Sequence, residues 1–289
     1  MIERITVASD GTSGSLGALH IARALQARAS GEVHLVSAVD LPPASVMDLV
    51  GDWALDELRE TGIRTREEEV RAQLEEVLPP TVSWPLQVRT GPPARVIAEE
   101  AEGSRSSMIV LGFGRKRPVD RFLGTGVPLS VARLARLPLL AADPLQTELP
   151  RRILVAVDFS RFSRTAARKV PHVAREGAEV HLLHVVDLPQ ESRTDWVRLY
   201  RERATSLLDS LAEELHDAGV AEVTTKLLSG DTATALLGYA RDCRAQLIAT
   251  GSHGESYVNR ILLGTVSGKL LRAAECSVLV VPPGAPGTE

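Results

Sequence analysis

Residues 251–267 set small and polar side chains where a phosphate chain could be held. Gly251-Ser252-His253-Gly254 opens the stretch, and Gly264-Thr265-Val266-Ser267 follows after nine intervening residues. Glycines let a backbone turn sharply or approach another group closely. Thr265 and Ser267 add hydroxyls, and the free backbone N–H groups of a helix start favour an anion. A polyphosphate held between a glycine turn and a helix start is the economical reading. The pattern G-x2-G-x9-G-T is neither the phosphate loop that ends in Lys-Ser/Thr nor the G-x-G-x-x-G dinucleotide fingerprint. His253, inside the turn, either hydrogen-bonds phosphate or only shapes the loop. The chain shows no G-x-S-x-G elbow and no supported Ser-His-Asp set. His181 and His184 lie three apart in a strand-like run, so they point to opposite faces and do not chelate together. They read as structural histidines, hydrogen-bonded where they are buried. No metal site is expected from protein side chains alone.

The elements that must position these residues occur twice. "ERITVASDGTSGSLGALHIARAL" is echoed by "RRILVAVDFSRFSRTAARKVPHV", and "GEVHLVSAVDLPP" by "AEVHLLHVVDLPQ". "GPPARVIAEEA" is echoed by "GDTATALLGYA", and "SSMIVLGFG" by "AQLIATGSHG". The order is the same in both halves, so the chain is a duplication of a domain-sized unit. The expected boundaries are residues 1–144 and 151–283, joined by a linker around Asp143–Arg151. Within each half, short apolar runs ("ITVAS", "EVHLVSAV", "MIVLG", "LPLLAA"; then "ILVAV", "EVHLLHVV", "VTTKLL", "LIAT", "SVLVV") alternate with helical periods. Trp196, Leu199, Leu207, Leu208, Leu211 and Leu215 mark one such period, and Pro171 implies a kink or late start in another. Strands alternating with helices give an α/β fold with a parallel sheet, whose ligands bind beyond the carboxyl ends of the strands. Gly251 falls at such an end. Val157-Asp158 and Val185 end neighbouring strands and are candidates to hold a base and ribose. Asp158 could equally cap the following helix.

Composition narrows the partners. A formal net charge of −4 over 289 residues leaves no basic footprint, so nucleic acid and anionic membrane surfaces are not expected partners. Cys243 and Cys276 form no zinc or redox pattern and read as buried small residues in a reducing compartment. The start has no leader-like apolar run, and no run approaches the ~20 residues of a membrane span, so the chain reads as cytoplasmic.

These motifs resemble the universal stress protein family, as two tandem copies over nearly the whole chain. The most specific part is "GSHGESYVNRILLGTVS", which is similar to the ATP-binding pattern of that family's nucleotide-binding members. The resemblance implies two doubly wound α/β domains, each with a five-stranded parallel sheet of order 3-2-1-4-5. It implies pairing of the two domains within the chain, largely through their last strands; association into a homodimer stays open. It implies an adenine nucleotide, ATP, as ligand, with Mg or Mn on its phosphates. By position, Val157, Asp158 and Val185 would contact the adenosine part. Gly251, Ser252, His253, Gly254, Gly264, Thr265, Val266 and Ser267 would surround the phosphates.

The first half departs from the pattern. Gly112 is followed by one residue, not two, before Gly114; Gly124-Thr125 then stands nine residues on; and Pro128 falls near the helix start. Asp10, Gly112, Gly114, Gly124 and Thr125 therefore mark a weakened or lost site, and Arg115, Lys116 and Arg117 read as a solvated loop or as counter-charges. The expected role is nucleotide binding with little hydrolysis, coupled to stress signalling through conformation or partner contact. A slow ATPase or phosphotransferase, and a scaffold with vestigial sites, are the alternatives.

Overall fold

The computed structural model describes residues 3–41, 52–113, 126–186, 195–253 and 263–282. The chain divides into two compact units, one mostly of residues 2–147 and the other mostly of residues 148–289.

The first unit runs β1 (Arg4–Ala8), α1 (Leu16–Ala29), β2 (Glu32–Val39), α2 (Asp52–Val77), β3 (Leu86–Thr90), α3 (Pro93–Gly103), β4 (Met108–Gly112), α4 (Val127–Leu134) and β5 (Leu139–Ala142). Its strand order is β3-β2-β1-β4-β5. β1 pairs in parallel with β2 and β4, and β2 in parallel with β3. Val7 lies opposite Leu35 and Val110, and all three are buried. Successive strand residues face opposite sides, so consecutive buried residues in β1 mean that both faces of the sheet are covered.

The second unit repeats this as β6 (Arg152–Ala156), α5 (Arg161–Val173), β7 (Glu179–Val186), α6 (Asp195–Asp217), β8 (Glu222–Ser229), α7 (Thr232–Asp242), β9 (Leu247–Gly251), α8 (Thr265–Ala273) and β10 (Ser277–Val281). Its order is β8-β7-β6-β9-β10, again with parallel pairs. Both units thus have the doubly wound order expected from the sequence. The strand ends of β6, β7 and β9 meet at one edge, and the helices that follow β6 and β9 begin there.

Four sequence expectations change in detail. β3 was not among the strands singled out: its burial alternates, so "LQVRT" lacks the apolar run of a central strand. The apolar stripe of α6 runs Val197, Ala204, Leu208, Leu211 and Leu215, while Trp196 and Leu199 are 57% and 64% exposed. Leu199 stands nine residues before Leu208; at roughly 100° per residue that is the opposite face of the helix. α5 starts on time at Arg161 behind the Ser160 cap, so Pro171 causes no late start. It lies in the last turn, where its missing N–H forfeits one bond near the helix end. Cys243 and Cys276 are half-buried, not core residues; Cys243 caps the end of α7.

Candidate nucleotide site in the second half

Three loops and one helix start build the site. After β6 the chain passes Val157, whose N–H donates to the Leu183 carbonyl at 2.8 Å, and turns at Asp158. The carboxylate of Asp158 accepts from the Ser160 backbone N–H at 3.0 Å and from its hydroxyl at 2.6 Å. Ser160 in turn caps α5, accepting from the Ser163 N–H. Asp158 therefore anchors the turn before the cap and also faces the site. Phe159, between them, has φ 64°, a left-handed conformation that bulky residues seldom adopt. Its counterpart in the first unit, 148 residues earlier, is Gly11 with φ 74°. Phe159 is held by packing on the His184 ring, 4.5 Å between centroids.

His184 is buried. Its Nδ1–H donates to the Val157 carbonyl at 2.7 Å, because a carbonyl only accepts, and this leaves Nε2 to accept from the Tyr200 hydroxyl at 2.7 Å. Burial pushes its pKa down, keeping the neutral ring. His181 contacts the Tyr239 hydroxyl and the Glu179 carboxylate. The two rings thus belong to separate hydrogen-bond networks.

On the other side, the Ser252 N–H donates to Val281 at 2.8 Å, and the Ser252 carbonyl accepts from the Gly264 N–H at 2.6 Å. The glycine turn and the start of α8 are thereby tied together. Ser252 itself is buried and shares a 2.9 Å hydrogen bond with His253 Nδ1. Ser267, buried in the first turn of α8, donates to the Gly251 carbonyl at 2.6 Å. Among the described residues no side chain caps the first N–H groups of α8. Uncapped groups of this kind are what an anion satisfies.

The glycines have distinct jobs. A Cβ on Gly251 would stand 2.8 Å from the Cβ of Phe162 and 3.0 Å from the Ser163 nitrogen. Gly251 is thus required by the close approach of α5 to β9. Gly112 does the same in the first unit, where a Cβ would overlap the Gly14 carbonyl. Gly264 has φ −60°, so no left-handed conformation demands glycine there. A Cβ would instead sit 2.9 Å from the Ser252 oxygen, inside the joint just described.

Together these elements enclose a cavity of about 170 Å³. Of the sequence candidates, Val157, Asp158, Val185, Gly251, His253, Gly264, Thr265, Val266 and Ser267 line it, and Ser252 supports it from behind. Gly254 lies outside the described residues, as do Gly114, Gly124, Thr125, Arg115, Lys116 and Arg117. Asp10 and Gly112 line a separate cavity in the first unit. Sequence reasoning missed Ser163, Thr232 and Leu236, which also line the second-half cavity. Thr232 and Leu236 belong to α7, and nothing in the sequence signals that its first turn faces the site. Asp231 caps that helix; hydrogen bonds from Thr234 and then from Lys269 hold its carboxyl at about 2. The Lys269–Asp231 pair, 3.2 Å, links α8 to α7 across the cavity wall. His253 is kept below the ordinary histidine pKa by burial. Among the described residues no three His, Cys, Asp or Glu side chains converge on a metal position, and no helix is long and apolar enough to cross a membrane.

Known proteins match the chain in the same two halves. The universal stress protein family matches residues 1–142 and again 150–282. A universal stress protein of Mycobacterium tuberculosis is 30% identical over 268 residues, covering 86% of this chain and 85% of its own. One from Methanocaldococcus jannaschii is 32% identical over 141 residues, 46% of this chain and 82% of its own. The crystal structure of a universal stress protein from Archaeoglobus fulgidus shares the fold at 22% identity, with a TM-score of 0.69 over 96% of both chains. With the family matched twice, along nearly its whole length, the chain belongs to the universal stress protein family as a tandem of two domains.

Proposed function

We propose that the second unit binds ATP and turns it over little, and that the protein acts in stress signalling through the nucleotide-bound conformation. The observation that carries this reading is the uncapped start of α8, tied through Gly264 to the turn after β9 and facing Asp158 across one cavity. Apolar Val157, Val185 and Leu236 suit a base, Asp158 suits ribose hydroxyls, and Thr265 to Ser267 suit phosphate. At about 170 Å³ the cavity is smaller than the ~300 Å³ of ordinary ligand pockets, so it encloses one part of a nucleotide and the phosphate chain runs out along α8. Mg or Mn fits as an ion carried on the phosphates.

Little turnover follows from what lines the cavity. Its described titratable side chains are Asp158 and His253. One oxygen of Asp158 is committed to Ser160, and Asp158 belongs to the ribose end. Phosphoryl transfer needs a group that positions the attacking oxygen at the γ-phosphate. Native mass spectrometry of the purified protein tests the binding: ATP or ADP at one per chain is expected. Nucleotide-free protein that also fails to take up ATP by titration refutes it. Steady-state hydrolysis on the order of 1 s⁻¹, the low end for working kinases, refutes the low turnover.

A further inference from the structure

Thr265, which lines the second-unit cavity, and Lys269 stand four residues apart in α8, so they share one face of the helix. Both are exposed, whereas Ser267, Gly268 and Leu270 between and beyond them are buried. The Cα–Cβ bonds of a helix tilt toward its N-terminus, so the side chain of Lys269 sets out toward Thr265 and the cavity. A chain of phosphates that leaves the cavity along α8 therefore runs along the face that carries this lysine.

Lys269 is held by a carboxylate whose two oxygens do separate work. Asp231 Oδ1 caps α7, accepting from the Thr234 N–H at 2.9 Å and from its hydroxyl at 2.7 Å. Oδ2 takes the lysine, at 3.2 Å. The lysine can therefore leave without uncapping α7. Little stability leaves with it, since the two side chains are 46% and 55% exposed, and ion pairs so exposed contribute little. Asp231 adjoins Thr232, a residue of the cavity wall, so the ammonium stands beside the cavity. The first unit has neither partner. Pro92 occupies the N-cap of α3 where α7 has Asp231. Counted back from the residues that close α4 and α8, Ala135 and Ala274, Ser130 takes the place of Lys269 and Pro128 that of Ser267. Proline offers neither an N–H nor a hydroxyl. The lysine–aspartate pair thus occurs in the copy whose helix start keeps both groups.

We propose that Lys269 is the residue by which the second unit distinguishes phosphate number: it leaves Asp231 for the outer phosphates of a nucleoside di- or triphosphate, and a monophosphate does not reach it. The first phosphate lies at the uncapped first turn of α8. Lys269 starts four residues further along the helix, roughly 6 Å on, and meets what extends beyond that phosphate. Its ammonium is a compact charge on a flexible stem, suited to exchanging one anionic partner for another. A polyphosphate tail carries more negative charge than the single carboxylate of Asp231, so the exchange favours the nucleotide. The inference deepens the ATP reading of this unit and rests on it.

The test is isothermal titration of ATP, ADP and AMP, at fixed salt and magnesium, into the full-length parent and three variants. Lys269→Met should weaken ATP by several-fold to about thirtyfold, ADP by less, and AMP by under about twofold. Lys269→Arg keeps the charge and should restore most of the ATP affinity. Asp231→Asn keeps a cap on α7 and releases the ammonium, so it should tighten ATP by roughly a few-fold, a gain that shrinks in the Lys269→Met background. Without nucleotide the variants should melt within about 2 °C of the parent, as an exposed pair implies. Equal losses of ATP and AMP in Lys269→Met overturn the proposal, because the lysine then only braces the site. So does a loss of ATP affinity in Asp231→Asn as large as that in Lys269→Met. ATP bound alike by the parent and Lys269→Met overturns this proposal alone, whereas a parent that binds none of the three nucleotides overturns the ATP reading and this proposal with it.

Discussion

Gly264 and Thr265 carry unequal shares of the second-unit site. Valine at 264 would drive a branched side chain against the Ser252 carbonyl, 2.9 Å from where its Cβ must lie, and would part the glycine turn from α8. ATP binding should fall below detection by isothermal titration. Thr265→Ala removes one exposed hydroxyl, worth roughly 1.5–3 kcal/mol toward a charged acceptor and less toward a neutral one. A several-fold to about hundredfold loss of affinity is expected. Equal losses from the two variants would mean that the hydroxyl, not the backbone joint, holds the phosphates. His184 gives a separate handle. Its folded pKa lies below 6.5 because of burial, so below that pH the unfolded chain takes up a proton that the folded ring resists. Its contribution to stability is complete above 6.5 and is lost as pH falls toward the folded value. The melting temperature should therefore drop less between neutral and mildly acid pH in His184→Asn than in the parent. An identical drop would show that other groups set the pH dependence. At this scale the sequence displayed the residues of the glycine turn and the helix start through their spacing. It hid the reasons for them: Gly251 answers to Phe162, and Ser252 faces inward, because both depend on contacts with elements distant in the chain.

Elements deliver these residues through their first turns. α5 begins behind Ser160, which accepts from the Ser163 N–H while its own hydroxyl donates to Asp158, so one serine fixes both the helix start and the site carboxylate. Ser160→Ala should cost about 0.5–2 kcal/mol by chemical denaturation and weaken ATP binding as well, because Asp158 loses its shortest partner. A stability loss with unchanged affinity would separate Asp158 from the ligand. Strands buried on both faces were legible because their apolar runs are unbroken. β3 was not, since an alternating half-exposed strand carries a weaker signal. The face of α6 was misplaced because Trp196 and Leu199 are apolar yet exposed, and apolarity alone does not say which side of a helix meets the sheet. The wall formed by α7 was invisible for a further reason: Thr232 and Leu236 reach the cavity only through the sheet order, which brings β9 beside β6.

At the scale of the whole chain, duplication has kept the architecture and let the sites diverge. Both units retain the strand order, the aspartate after the first strand and the glycine that ends the fourth. The first carries Gly11 and Ser37 where the second stacks Phe159 on His184, and, counted back from Ala135 and Ala274, Pro128 where the second has Ser267. Ligand binding should therefore be uneven along the chain, and hydrogen exchange with and without saturating ATP measures that directly. Ligand that binds only the folded state stabilises it by RT ln(1 + [L]/Kd), about 2.7 kcal/mol at a hundredfold excess over Kd, and the amides it covers exchange more slowly. Slowing is expected in peptides spanning Ser160–Ser163, Gly251–His253 and Gly264–Gly268, because α5, the turn after β9 and the start of α8 close on the same cavity. The matching peptides around Thr12–Ser15, Gly112–Phe113 and Gly126–Leu129 should exchange as before, since Pro128 leaves no amide to cover where Ser267 offers one. The Gly264→Val protein should lose the ATP effect altogether. Comparable slowing in both sets of peptides would show that the first unit still cradles a polyphosphate despite its proline and its shortened glycine turn, and that the two copies have not parted in function.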